Sequence, residues 1–192
     1  MRTQFRNRRT VTKGDVFTEF LTFVESALGA EIVDQILDDC APSLSTGGAY
    51  TAVGAYPCAE MGALLGALSR RSERPPNELL RGFGEALAGA FVAAYPDYFK
   101  GSSNFFDFFE RIDSYIHVEV LKLYPDAESP RFETLSREDD AITLRYTSPR
   151  ALYDLAIGLF LATAAHYTEN VDVDVALCDA PGQAIFTLRR AA

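Results

Sequence analysis

One stretch in the second half of the chain, Tyr146-Thr147-Ser148-Pro149-Arg150, decides how the sequence is interpreted. An arginine guanidinium is always charged and can form two parallel hydrogen bonds with a carboxylate. With two hydroxyl groups beside it, such an arginine can hold a pair of carboxylates. Taken in isolation, however, the triplet is more simply explained as the end of a strand followed by a Ser-Pro turn, with the arginine in solvent.

His117 precedes this triplet, and Pro130 lies between them. On a predicted helix between Ile116 and Val118, a lone histidine would more simply be a core or surface residue. A neutral imidazole can also ligate iron. The ordered set of a histidine, a proline and Tyr-x-Ser-x-Arg supplies the parts needed to bind a heme through its iron and its propionates, and this order favours the ligand interpretation.

The ordered set resembles the heme-nitric oxide/oxygen binding family, called H-NOX, and the resemblance runs from about Lys13 to Arg190. The family includes the heme domain of soluble guanylate cyclase, and this chain looks like the stand-alone bacterial type. The resemblance implies that His117 is the proximal iron ligand of heme b. It also implies that the propionates are clamped by Tyr146, Ser148 and Arg150.

The same resemblance suggests interpretations for two further positions, Pro130 and Asp113. Pro130 could be a plain proline at the start of a strand, but the matching proline of the family packs on the macrocycle and keeps it bent, which tunes the iron. Family members often carry an aspartate three residues before the histidine. Here Asp113 is four residues before His117, which indicates a one-residue insertion upstream of it.

The resemblance also indicates which gas binds. Oxygen-binding members use a tyrosine where this chain has Leu155, supported by residues at the positions of Phe20 and Leu87. None of these three side chains can donate a hydrogen bond, from which bound dioxygen gains. Tyr153 is close to Leu155 in sequence but points elsewhere on a helix. We therefore expect nitric oxide and carbon monoxide to bind and dioxygen to be rejected. Further pocket residues implied by the family are Val16, Phe91, Ile116 and Leu159.

Charge and hydropathy narrow the possible partners. The net charge of −9 argues against nucleic acid, whose phosphates would be repelled. Basic residues crowd the N-terminus, which is read as a solvated tail; a targeting segment is the alternative, but no apolar stretch of signal-peptide length follows. No apolar run approaches the roughly 18 residues that span a bilayer, so no membrane partner is expected.

Cys40, Cys58 and Cys178 are scattered and odd in number, which predicts neither a disulfide framework nor a zinc site. A reducing cytoplasm is the simplest setting. His166 is expected to be a structural or surface residue near a helix end.

No motif for catalysis competes with the sensor interpretation. The sequence contains neither a phosphate-binding glycine loop nor a nucleophile elbow, so we predict that the chain is not an enzyme. A separate protein would read the gas signal, and the family suggests a histidine kinase or a cyclic-dinucleotide enzyme. Two alternatives stay open: a redox responder that uses Cys40 or Cys58, and a carrier of an apolar ligand.

The hydrophobic pattern predicts an α+β fold in which a helical N-terminal, distal lobe is followed by a proximal lobe of helices with an antiparallel sheet. The resemblance implies a heme between the lobes. Residues 1–12 are predicted to be a flexible extension and 13–192 a single two-lobed domain, with 43–56 as a loop. The predicted helices are 16–28, 32–37, 57–68, 79–91, 105–120 and 152–167, and the predicted strands are 131–135, 142–146, 171–175 and 184–188.

Overall fold

The computed structural model describes residues 11–118, 122 and 129–191, and these form an α+β fold. The chain divides into two compact units, Met1–Ser72 and Glu73–Ala192. Residues 1–10 of the predicted extension lie outside the described residues, as do Val120 and Tyr124-Pro125, where the fifth helix was predicted to end.

Unit 1 is helical apart from a small antiparallel sheet in which Thr12 pairs with Tyr56. Two predictions are therefore corrected. Val11 and Thr12 belong to a strand and not to an extension, and the end of the predicted loop, with Pro57, forms the partner strand. Strands of three residues are too short to show a periodicity in the sequence. The elements of unit 1 are β1 Val11–Lys13, α1 Gly14–Leu28, α2 Ala30–Cys40, a 3-10 turn Ala41–Ser43, β2 Ala55–Pro57 and α3 Cys58–Ser72.

The loop before β2 supplies hydrogen-bond acceptors for the first backbone N–H groups of α1. The first backbone N–H groups of a helix have no partner within the helix. Here the N–H groups of Gly14 and Asp15 donate to the carbonyls of Gly54 and Ala52, at 2.9 and 3.0 Å. A Cβ atom on Gly14 would lie 1.9 Å from the Thr51 carbonyl oxygen, so only glycine fits this close approach.

A buried carboxylate fastens the same loop to α3. Glu60 is only 3% exposed, and its carboxylate accepts hydrogen bonds from the Ser45 N–H at 3.0 Å and the Tyr50 hydroxyl at 2.9 Å. Burial alone would raise the pKa of Glu60, but the hydrogen bonds outweigh it and the pKa is lowered. Burial and the neighbouring carboxylate raise the pKa of Tyr50. Tyr50 also stacks on Phe17, with ring centroids 4.4 Å apart.

Unit 2 contains the remaining predicted helices and strands, with ends shifted by a few residues. Its elements are α4 Pro76–Ala94, α5 Pro96–Lys100, α6 Phe105–Arg111, a π-helical turn Ile112–Ile116, β3 Arg131–Arg137, β4 Ala141–Thr147, α7 Tyr153–His166, β5 Val171–Leu177 and β6 Gln183–Arg190. Across the described residues, no helix has both the length and the apolar character needed to cross a membrane.

The sheet of unit 2 is antiparallel throughout, in the order β3-β4-β6-β5. Buried side chains of β4 and β6 form a core with α6 and α7, in which the ring of Phe160 lies 4.8 Å from that of Phe109 and 5.1 Å from that of Phe186. β5 is an edge strand, and burial stops early along it: Val171 is buried, but Leu177 is 70% exposed. Within the predicted strand 171–175, Val171 is buried and Val173 half-buried, but Val175 is already 36% exposed.

Helices α4 and α7 approach each other through two glycines. A Cβ atom on Gly84 would lie 2.4 Å from the Leu155 carbonyl oxygen, and one on Gly158 would lie 2.1 Å from that of Arg81. An ion pair between Arg81 and Asp154, at 2.9 Å, joins the same two helices. The backbones therefore meet directly, which fixes the spacing between the side chains of α4 and α7.

Candidate cofactor-binding site

The helical segment that carries His117 begins at a capped end. The Asn104 side chain accepts a hydrogen bond from the Asp107 N–H at 3.0 Å, which satisfies one of the unpaired donors at the start of α6. The four phenylalanines of α6 are all buried: Phe105, Phe106, Phe108 and Phe109. The sequence predicted an unbroken helix here, but the structure has the π-helical turn between α6 and His117.

Phe132 connects His117 to Tyr146, one of the predicted clamp residues. The half-buried His117 has its ring 6.3 Å from the Phe132 ring. Phe132 in turn is the cross-strand partner of Tyr146, with ring centroids 5.4 Å apart. The structure thus brings residues far apart in sequence into one neighbourhood. Phe132 was not singled out from the sequence, although it follows Pro130 closely on a predicted strand. Pro130 itself is half-buried just before β3.

Tyr146, Ser148 and Arg150 form a compact group of donors at the end of β4. Tyr146 and Ser148 are each 2% exposed, and the Arg150 Nε atom is shielded from solvent. The Ser148 hydroxyl accepts a hydrogen bond from the Arg150 N–H at 3.3 Å. Burial raises the pKa of Tyr146, while a hydrogen bond with Ser148 and the charge of Arg150 act in the opposite direction. The phenol therefore stays protonated at neutral pH and can donate.

The backbone around this group is shaped by close contacts. Ala151 donates its N–H to the Ser148 carbonyl at 3.2 Å, which closes a turn, and it has a φ of 49° that is costly for a residue with a Cβ atom. Ser148 donates its own N–H to the Gly182 carbonyl at 2.9 Å. Gly182 has a φ of 77°, and a Cβ there would lie 2.3 Å from the Ser148 carbonyl oxygen. This contact joins segments far apart in the chain, so the local sequence pattern does not reveal it.

The predicted gas-pocket residues of unit 2 lie on α4, on α7 and beside His117. Leu87 is buried, and four more are half-buried: Phe91, Ile116, Leu155 and Leu159. None of these side chains carries a hydrogen-bond donor. The Tyr153 ring lies 5.5 Å from the Tyr146 ring, and its hydroxyl donates to the Gln183 carbonyl at 3.5 Å. Tyr153 is therefore directed toward the end of the sheet, as its helical spacing from Leu155 predicts.

Two more predicted pocket residues, Val16 and Phe20, lie on α1 in unit 1, where Phe20 is fully buried and Val16 half-buried. His166 is exposed in the last turn of α7, with its ring 5.4 Å from that of Phe99. His166 was predicted to be a structural or surface residue near a helix end, and it lies exposed at such an end.

The chemistry of these side chains fits a heme. His117 offers one imidazole nitrogen, which suits an iron that a macrocycle already holds. Tyr146, Ser148 and Arg150 offer hydroxyl and guanidinium donors, which suit carboxylates such as propionates. This donor set matches what a heme-binding domain requires.

Comparison with known proteins gives the family. The family model described as Haem-NO-binding (HNOB) matches residues 13–175. The H-NOX protein of K. algicida, solved as Fe(II) unliganded, is 30% identical; the match covers 94% of this chain and 97% of that chain, with a TM-score of 0.88. The H-NOX of Shewanella woodyi, solved bound to IWP-051 in the Fe(II)CO ligation state, is 36% identical over 93% of this chain and 94% of that one, with a TM-score of 0.80.

An H-NOX protein from S. oneidensis in the Fe(II)NO ligation state shares the fold at 22% identity, with a TM-score of 0.85 over 94% of this chain and 100% of that chain. A search of curated proteins found no match. The match to the family model extends over most of the sequence, and this chain therefore belongs to the Haem-NO-binding, or H-NOX, family.

Proposed function

We propose that this protein is a sensor of nitric oxide and carbon monoxide that works through a bound heme b. The observation that carries the proposal is the continuous neighbourhood of His117, Phe132 and Tyr146, with Ser148 and Arg150 beside it. The bound heme supplies an iron that binds the gas. The His117 imidazole would hold that iron, and Tyr146, Ser148 and Arg150 would hold the propionates.

The apolar side chains of α4 and α7 support a preference for nitric oxide and carbon monoxide. Leu87 and Leu155 have no donor to offer a bound gas. A neutral hydrogen bond is worth about 1 kcal/mol in a protein, and a buried partial charge without a partner costs more. Dioxygen depends on such help more than nitric oxide, whose bound form carries little charge separation.

We further propose that the gas signal passes to a second protein, a histidine kinase or a cyclic-dinucleotide enzyme, as family membership implies. Ligand binding would act by biasing an element with two arrangements. The proposed setting is a reducing cytoplasm, which the free thiols of Cys40, Cys58 and Cys178 support. Autophosphorylation of a kinase from the same organism, with and without the nitric oxide-loaded protein, tests this step.

The redox alternative is weakened by the surroundings of the cysteines. Cys40 is buried, and burial raises the pKa of its thiol, which lowers the fraction of reactive thiolate. The Cys58 sulfur lies 2.8 Å from the Thr12 hydroxyl, in a contact between α3 and β1. These are the surroundings of structural cysteines.

The central test compares the two histidines. Purified protein with His117→Gly is expected to lose the iron–histidine stretching band in the resonance Raman spectrum of the reduced state and to regain ligation with added imidazole. The matched control is His166→Gly, which removes the exposed histidine of α7 and is expected to leave the band unchanged. An unchanged band in the His117 variant would remove His117 from the proposed role.

A further inference from the structure

A single π-helical turn lies directly before His117. It closes with a hydrogen bond from the His117 N–H to the carbonyl of Ile112, five residues earlier, whereas an α-helix closes over four residues. Helical residues flank it on both sides: α6 before it, and His117 with Val118 after it. Single π-turns within α-helices are often found at functional sites, so this one is a candidate device for placing His117.

The extra residue in the turn changes the direction in which His117 points. Each residue of an α-helix turns by about 100°, so a residue five positions after Ile112 would point about 140° away from it. If the π-turn absorbs one residue, His117 takes the direction of the fourth position, about 40° from Ile112. The observed placement agrees with the second case: Ile112 is buried in the core against which Phe132 packs, and the half-buried His117 has its ring 6.3 Å from that of Phe132.

Contacts on the outer side hold the turn in place. The Arg111 guanidinium donates to the Ser102 hydroxyl at 3.0 Å and lies 5.1 Å from the centre of the Tyr115 ring. The Tyr115 ring meets the edge of Tyr98 at 6.2 Å. The exposed side of the turn is thus tied to neighbouring segments of unit 2, while Ile112 anchors its inner side.

We propose that the π-turn Ile112–Ile116 contains one residue more than an α-helical turn, and that this longer turn directs the His117 side chain toward Phe132. Deletion of Ser114 would remove the extra residue. The inference rests on the proposed function in so far as His117 is an iron ligand. It predicts that the length of this turn, and not only the identity of residue 117, decides whether the imidazole reaches its target.

The test compares two changes of length in the heme-loaded protein. Deletion of Ser114 should convert the π-turn into an α-turn without rotating His117, and the iron–histidine band should persist. Insertion of one alanine between Ser114 and Tyr115 should rotate His117 by about 100°, so the band should be lost and return with added imidazole. Loss of the band in the folded deletion variant, or its persistence in the insertion variant, would overturn the proposal.

A second readout does not depend on the heme. Nuclear Overhauser contacts between the His117 and Phe132 rings should persist after the deletion and disappear after the insertion. They can be measured in the carbon monoxide complex of the heme-loaded protein or in protein that has taken up no heme. The trans-hydrogen-bond coupling from the His117 amide to the Ile112 carbonyl should also persist after the deletion. If wild-type protein takes up no heme, the proposed function fails, but these contacts still decide whether the turn positions His117.

Discussion

At the scale of single residues, two arginines near the end of β4, Arg145 and Arg150, illustrate how position decides a role. Tyr146 points into the core, whereas Arg145 points to the other face and pairs with Glu133 at 2.6 Å. This placement follows from the alternation of side chains along a strand. Arg150 lies beyond the strand, in the turn that begins at Ser148, with its Nε atom shielded from solvent.

We therefore predict that Arg150→Ala releases heme faster than Arg145→Ala. Hydrogen bonds to charged groups contribute about 1.5–3 kcal/mol each, so loss of the clamp should speed heme release by roughly tenfold or more. An exposed ion pair such as that of Arg145 contributes about 0–1 kcal/mol. Transfer of heme to excess apomyoglobin measures both rates, and equal rates would defeat the assignment of Arg150.

Glu60 is a second residue whose role depends on its surroundings, and its lowered pKa gives a prediction about pH. Because its pKa is lower in the folded state, its contribution to stability is present above the unfolded value of about 4.3 and is lost as the pH falls through the folded value. At pH 7, Glu60→Gln should lower the free energy of unfolding by about 1–3 kcal/mol. The reason is that one of the two donors, the Ser45 N–H or the Tyr50 hydroxyl, loses a charged acceptor.

This difference should shrink as the pH falls below about 4. Urea unfolding followed by circular dichroism from pH 7 to pH 3.5 measures it, with Glu85→Gln at an exposed position of α4 as the control. A difference that stays constant over this range would show that the Glu60 carboxylate is not the source of the stability.

At the scale of elements, direct contact between α4 and α7 holds together the helices that carry Leu87 and Leu155. The contact depends on the absence of side chains at Gly84 and Gly158. Glycine is otherwise unfavourable within a helix by roughly 0.5–1 kcal/mol relative to alanine. Its presence at a helix crossing therefore has a packing reason.

Gly158→Ala is predicted to destabilise the protein by about 1–3 kcal/mol, because the added methyl group would meet backbone atoms that cannot move aside easily. Gly89→Ala, also within a helix, meets nothing within 4 Å and should stabilise the protein by about 0.5–1 kcal/mol. Urea midpoints of the two variants test the pair. The same sign of change in both would show that the contact is not tight.

At the scale of the whole molecule, the apolar residues assigned to the gas-binding side predict the response to air. The reduced protein, freed of dithionite by desalting, is expected to show no stable oxygen complex in an aerobic absorption spectrum. Leu155→Tyr should add one donor and raise oxygen affinity modestly, because Leu87 on the neighbouring helix α4 offers no partner to orient the new hydroxyl. A persistent split oxygen-type spectrum in the unmodified protein would contradict the assignment of Leu155, Leu87 and Phe20.

The sequence by itself determined the family and the order of the longer elements. His117, Pro130 and the Tyr146–Ser148–Arg150 triplet stand at fixed spacings, and spacing is a property of the chain that needs no coordinates. Long helices and the inner strands were also predictable, since their hydrophobic periodicity repeats over enough residues to be read. Asp113, whose position in the sequence indicated a one-residue insertion, lies within the π-turn, although the sequence could not show that the helix changes its form there.

Only the tertiary structure decided the contacts between distant segments. It placed Phe132 between His117 and Tyr146, set Gly182 against Ser148 and buried Glu60 against Ser45 and Tyr50. It also paired β1 with β2 and left the end of β5 exposed at the edge of its sheet. These features arise from close approach between residues far apart in the chain, which the local periodicity of the sequence does not reveal.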